Sequence, residues 1–342
     1  MTKKLDILIY GEDIGWAMGP NLVDSFNKLG HKASLFDYTS HFYRTASPSI
    51  TNKILDRLLM SSISNKINKD FLAETEAVRY NLLVVLKGAN LSPETLRRVK
   101  NNVDYMVNWD PDDFNNPISS SKYVVDSIHL YDVIFSPREH LFDEYLNKGV
   151  KKVVALDWYC MPTIQKKLSL SRSEINKYGS DVVFVANWSP RREEYIYGLR
   201  SLNVRVWGQG WYKSGKAFKK SIKCMPPIYF PEMSKVVNAC KINLNMLTLE
   251  NRDTSNFRNY EVPACGAFQL SERSEKISSI FQEDKNIACF SSAQELEEKC
   301  NYYLENESER QKIADESYEM ILNSPNKIDD RALAILKTVD LV

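Results

Sequence analysis

Cysteine and histidine are sparse and badly placed for metal chemistry. The six cysteines in 342 residues include no C-x-x-C pair, and the four histidines, His31, His41, His129 and His140, show no metal-ligand spacing. No metal site is therefore expected. Cys240, Cys265 and Cys289 fall in apolar segments, as ordinary buried thiols do, so the chain reads as a reduced, cytoplasmic protein. Long hydrophobic runs are missing too. No window approaches the roughly 18–20 apolar residues of a spanning helix. The start, M-T-K-K-L-D-I-L-I-Y, is basic but broken by Asp6, which suits a first strand better than a signal peptide. Charge of one sign is lacking. A net charge of +1 creates no global field for nucleic acid. One local basic cluster, Lys213–Lys223, is interleaved with Trp211, Tyr212 and Phe218, which suits a solvated loop or a membrane-proximal edge, so peripheral membrane contact stays open. Finally, Gly11, Gly15 and Gly19 are spaced too widely for the G-x-G-x-x-G turn of a nicotinamide-cofactor enzyme.

What is present is a repeating alternation of short apolar strands and amphipathic helices. Strands are expected at Leu5–Tyr10, Ala33–Phe36, Leu82–Leu86, Val103–Val107, Val133–Phe135 and Val153–Leu156. Between them lie a helix from Pro20 to Leu29 stopped by Gly30, a long helical stretch over Asn52–Tyr80, and a helix over Ser92–Lys100 with Ser92 as cap and Pro93 at its first position. Further helices are expected near Ser120–Leu130 and Arg138–Asn147. Continuous apolar strands separated by helices imply an α/β fold with a parallel sheet covered on both faces. The polar, basic run Pro162–Gly179 reads as an interdomain linker. The pattern then restarts at Val182–Ala186, with a helix from Pro190 to Leu202, a strand at Val204–Trp207, a helix at Glu232–Cys240, a strand at Ile287–Phe290 and a final helix at Asp329–Val339. Length alone favours two domains, and 43% hydrophobic residues suffice for two cores.

The stretch Lys241–Leu270 carries the strongest hint of chemistry. Ile242, Leu244 and Met246 form a short strand. A polar loop containing Arg252, Asp253, Thr254, Ser255 and Asn256 follows, with Asp253, Thr254 and Ser255 suited to capping a helix over Asn256–Cys265 that stops at Gly266. A helix N-terminus at the end of a parallel strand is a ready anion site, because free N–H groups and the helix dipole converge there. Glu261 on the helix and Asp253 at its mouth are placed to hold sugar hydroxyls on either side of a diphosphate. Arg191 and Arg192, in S-P-R-R after the strand Val182–Ala186, open another helix. Cations there are unfavourable unless an anion is bound.

R-x-x-E-x-x-A-C-G, here Arg258, Glu261, Ala264, Cys265 and Gly266, resembles the donor-site signature of GT-B glycosyltransferases, most closely the family of spore-maturation protein CgeB and its group-1-like relatives. N-L-L-V-V-L-K-G-A-N-L-S-P-E-T-L (Asn81–Leu96), W-D-P-D-D (Trp109–Asp113), Y-D-V-I-F-S-P (Tyr131–Pro137), V-V-F-V-A-N-W-S-P-R-R (Val182–Arg192) and V-W-G-Q-G-W (Val206–Trp211) are similar to that family in the same order. The resemblance implies two Rossmann-like domains facing a cleft: an acceptor domain over residues 1–165, a nucleotide-sugar domain over 180–325, and a C-terminal helix over 326–342 crossing back to the first domain. It implies a glycosyltransferase with no bound cofactor and no metal, using a nucleoside-diphosphate sugar, UDP-sugar foremost, as co-substrate and an unidentified glycan, protein or small-molecule acceptor. By the same resemblance Arg192 contacts the phosphates, Arg258 and Gly266 belong to the donor signature, Glu261 binds the ribose, Asp253 takes the place of a sugar-binding carboxylate, and Tyr229 falls where a base-binding loop would be.

In the first half, Glu12 and Asp13, bracketed by Gly11 and Gly15, are candidates for the base that deprotonates the acceptor. Asp110 and Asp112 read as a loop and cap feature, and His41 and His129 as further candidate bases. Two other readings stand beside transfer: a non-catalytic nucleotide- or sugar-binding protein, coat-associated or otherwise, on the same scaffold, and a sugar-nucleotide epimerase of the same architecture.

Overall fold

A computed structural model describes residues 4–46, 49–116, 119–248 and 254–341. The chain divides into two compact units. The first comprises residues up to Asp157 together with Ile328–Val342, and the second Trp158–Lys327.

The first unit is built on β1 (Asp6–Gly11), β2 (Lys32–Asp37), β3 (Tyr80–Leu86), β4 (Val103–Trp109), β5 (Val133–Ser136) and β6 (Val153–Ala155). They form one sheet in the order β2-β1-β3-β4-β5-β6, with every pairing parallel. Ile7, Leu8, Ile9, Leu82, Leu83, Val84 and Val85 are all fully buried. That is why the central strands β1 and β3 read as unbroken apolar runs: helices cover both faces. The helix Ile328–Thr338 packs on the helix Met18–Lys28, burying Ala332, Ile335 and Leu336 completely. Asp329 accepts a hydrogen bond from Ser25 Oγ, and Arg331 donates to the Asp157 carbonyl at 2.9 Å. The C-terminal helix is thus part of the first unit's core.

The second unit contains β7 (Val182–Val185), β8 (Val204–Trp207), β9 (Lys223–Met225), β10 (Ile242–Asn245), β11 (Gln269–Glu272) and β12 (Ala288–Phe290). Their order is β12-β11-β10-β7-β8-β9, again all parallel. The chain runs outward from β7 through β8 to β9, then returns to the other side of β7 as β10. The crevice at the carboxyl ends of β7 and β10 is therefore a topological switch point, where open α/β sheets place ligands.

Several elements differ from the sequence expectation. The run 162–179 lies within the second unit and carries a helix, Arg172–Tyr178, closed by a Ser171–Glu174 capping box. The basic cluster is structured as well: Lys216–Ser221 is a helix and Lys223–Met225 the edge strand β9. Trp211 and Phe218 are buried and stacked on each other, so they are core residues, and Tyr212 alone of the three aromatics is exposed. The expected long helix over 52–80 is two, Ile50–Leu58 and Met60–Ala77. Among the described residues no helix is long and apolar enough to cross a membrane.

Truncating Leu336 tests the role of the last helix. Leu336→Ala should cost the first unit about 2–5 kcal/mol by opening a cavity in a close-packed site. Hydrogen exchange should then show faster opening of β1 and β3 with β7 and β10 unchanged; unaltered exchange in β1 and β3 would refute the packing role.

Candidate active site

In the second unit the crevice is furnished by four strand ends. After β7 the chain turns through Ala186–Trp188, and Ser189 caps the helix Pro190–Gly198 by accepting from Arg192 N–H. Proline at the first position suits a helix that begins abruptly at a strand end. The turn is held close to the next strand end: a Cβ on Gly208 would lie 2.1 Å from the Ala186 carbonyl oxygen, so only glycine fits there. This start directs Arg191 and Arg192 toward the mouth of β10. Arg191 forms a two-pronged ion pair with Glu272, at the end of β11, with Nη1 3.1 Å from Oε2. Glu272 also accepts the Leu247 backbone N–H at 3.0 Å.

Arg192 is held differently. Its guanidinium donates to two carbonyls, Asn187 at 2.9 Å and Met246 at 3.2 Å. Among the described residues it has no carboxylate partner. Burial, with Arg191 and Arg258 nearby, pushes its pKa down to about 10. A cation that remains charged yet is disfavoured by desolvation and like neighbours is one that an anion would relieve.

Glu261 and Arg258 come together from the helix Arg258–Ala264. They pair across one turn, Arg258 Nη1 to Glu261 Oε2, while Arg258 Nε reaches the Val185 carbonyl at the end of β7 at 3.4 Å. Glu261 is buried, and its other oxygen accepts from Gln165 Nε2 at 3.2 Å. The helix begins later than expected, and Thr254 and Ser255 do not cap it. Asn256 does: its Oδ1 accepts Arg258 N–H at 3.0 Å, and Asn259 Oδ1 in return accepts Asn256 N–H at 3.0 Å. A buried amide network anchors this start to the sheet. Asn256 donates to Asn245 on β10, Asn245 and Asn259 both donate to Ser271 on β11, and Gln269 donates to the Arg258 carbonyl.

Asp253 lies outside the described residues. Gly266, with φ +66°, sits at the far end of the Arg258–Ala264 helix from Arg258, where it serves as the stop. Tyr229 lies in the segment after β9 and is about half exposed. The residues whose roles were missed from sequence are Gln165 in the expected linker, Asn245, Ser271 and Glu272 at strands, and Asn256 and Asn259 in the expected loop and helix. Their only advance signal was a polar side chain interrupting an apolar strand, as at Asn243 and Asn245.

In the first unit the matching switch point lies at the ends of β1 and β3. Glu12 accepts from Tyr38 Oη at 2.7 Å, and burial with that carboxylate beside it raises the tyrosine's pKa. Asp13 is exposed, and its backbone N–H donates to Asp37 Oδ1 at 3.1 Å. Lys87, at φ +63°, pairs with Asp112. Asp110 is more than a loop cap. It is buried, takes the Tyr145 hydroxyl at 3.0 Å and the Asp112 N–H at 3.2 Å, and burial raises its pKa to about 7. His41 bonds Asp70 at 3.0 Å, and His129 is exposed. Among the described residues no group of three or more His, Cys, Asp or Glu could hold a metal.

Residues 191–337 match the model of a family described as glycosyl transferase-like, which takes in Arg191, Arg192, Arg258, Glu261 and Glu272. Among solved structures, HepE of Anabaena in complex with UDP-glucose is 12% identical and similar over 99% of this chain and 100% of that chain, with a TM-score of 0.65. Sucrose-phosphate synthase of Thermosynechococcus elongatus is 11% identical over 98% of each chain, at a TM-score of 0.69. A putative UDP-N-acetylglucosamine 2-epimerase of Listeria monocytogenes is 12% identical over 99% of this chain and 96% of that one, at 0.57. No curated protein matches the chain significantly. The likenesses identify the fold as GT-B, and with the family domain they support a glycosyltransferase.

The Asp110 carboxyl gives a pH signature. Its folded pKa of about 7 stands above the ordinary value of about 3.9, so the folded state prefers the neutral acid. The stability that this carboxyl contributes is greatest below about 3.9 and is lost as pH rises toward about 7. In urea unfolding the wild-type midpoint should therefore fall relative to that of Asp110→Asn as pH rises over this window; a difference between the two that does not change with pH would contradict the assignment.

Proposed function

We propose that this protein transfers a sugar from a nucleoside-diphosphate sugar, a UDP-sugar foremost, to an acceptor hydroxyl without a metal ion. The observation that carries the reading is Arg192: a desolvated cation bonded only to carbonyls among the described residues, at the switch point of the donor unit. A leaving diphosphate needs its charge offset, and fixed cations in a crevice supply that without reorganising during reaction. Arg191 and Arg258 are committed to Glu272 and Glu261, so Arg192 is the one of the three with charge to spare. Glu261, locked by Arg258 and Gln165, accepts the ribose hydroxyls in this reading, and Tyr229 and Asp253 keep the base- and sugar-binding roles that the resemblance implies. That HepE was solved with UDP-glucose supports the choice of donor.

The acceptor belongs to the first unit in this reading. Glu12 or Asp13, at the end of β1, takes the proton as the acceptor oxygen attacks the anomeric carbon and the bond to the diphosphate breaks. The resemblance to the CgeB family points to the same assignment of units. A cytoplasmic site of action accords with six free cysteines.

A thermal-shift screen with UDP, GDP, TDP, ADP and CMP, each with and without magnesium, tests the proposal. A ligand at about 100 times its dissociation constant adds about 2.7 kcal/mol. UDP should raise the melting temperature regardless of magnesium, and Glu261→Ala should remove most of the shift. No shift with any nucleotide would favour a non-catalytic scaffold; turnover of UDP-sugar into an epimer without acceptor would favour the epimerase.

A further inference from the structure

The helix Ile50–Leu58 carries its polarity inside out. Its one buried residue is Asp56. That carboxylate accepts the backbone N–H groups of Tyr43 at 2.7 Å and Arg44 at 3.2 Å and lies 3.8 Å from the Arg44 guanidinium. On the opposite face Ile50, Ile54 and Leu58, spaced four apart and so in one row, are 78%, 53% and 74% exposed. Leu55, and Leu59 and Met60 just past the helix end, are also exposed. Single exposed leucines mean little, but a contiguous patch of this kind marks an interaction surface. The orientation is fixed by Asp56, because rolling the helix to bury its leucines would strip that carboxylate of its donors.

The charges name the partner. The exposed ionisable residues of the helix are Lys53 and Arg57, which run along one edge of the apolar row, and Lys66 and Lys69 are exposed on the next helix. The acid of the helix is the buried, paired Asp56. We propose that this face docks the protein on an anionic lipid surface. Ile50, Ile54 and Leu58 would enter the acyl boundary while Lys53 and Arg57 meet lipid phosphates, the arrangement of an interfacial amphipathic helix. A second copy fits less well, since a two-fold contact through this face would bring the same cations against each other. The inference is independent of the chemistry in the second unit.

Co-sedimentation of the full chain with phosphatidylcholine vesicles, with and without phosphatidylglycerol, tests it. The protein should partition onto the anionic vesicles and release in high salt. Lys53→Gln with Arg57→Gln should weaken partitioning about thirtyfold, at about 1 kcal/mol per cation. Ile54→Glu with Leu58→Glu should abolish it without lowering the melting temperature, and Ile54→Ser with Leu58→Ser is the alternative if the glutamates disturb folding. No partitioning onto anionic vesicles, partitioning that survives these changes at Ile54 and Leu58, or a dimer that those changes dissociate in place of vesicle binding would overturn it.

Discussion

The second unit depends on an imbalance of charge. Three arginines converge where β7 and β10 part, and among the described residues two carboxylates answer them. Among those residues Arg191 and Arg258 are paired and Arg192 is left on carbonyl oxygens. Three cations so close repel one another, and in a half-desolvated crevice that repulsion is weakly screened. The arrangement persists because the helix caps, the Glu272 pair and the Gly208 close approach hold it. A bound diphosphate would turn the same arrangement from a cost into a clamp.

The rest of the unit can be understood as support for that geometry. The buried amides of Asn245, Asn256, Asn259 and Gln269 link β10, β11 and the start of the Arg258–Ala264 helix. Every member has partners, and such a network specifies one arrangement where an apolar core would tolerate several. Trp158 and Gln165, at the unit's beginning, reach the same helix, through the Ser255 carbonyl and Glu261. A disturbance at residues 158–165 should therefore be felt at Glu261.

Much of this was legible in the chain. Strands such as N-L-L-V-V-L and V-V-F-V read clearly because a parallel sheet is buried on both faces, and Pro190 and Gly266 marked a helix start and a helix stop. Sheet order was not legible, since nothing local records which strands become neighbours. For that reason Glu272, distant in sequence, was missed as the partner of Arg191, and Gln165 was assigned to a linker. The edge strand Lys223–Met225 escaped because three residues with an exposed lysine carry no period. Trp211 and Phe218 looked like part of a basic surface because their cationic neighbours point outward while the rings turn into the core. The helix Ile50–Leu58 was legible only as the start of one long helical stretch, and its exposed apolar face was not legible, because apolar residues are expected inside.

The most direct measurement is calorimetric titration of UDP into wild type, Arg192→Gln and, as a control, Arg200→Gln, an exposed arginine just past the same helix. A charge-assisted contact to phosphate is worth about 1.5–3 kcal/mol, so the account predicts that Arg192→Gln weakens UDP binding at least about tenfold and that Arg200→Gln leaves it unchanged. Wild-type affinity in Arg192→Gln, or an equal loss in both variants, would contradict it.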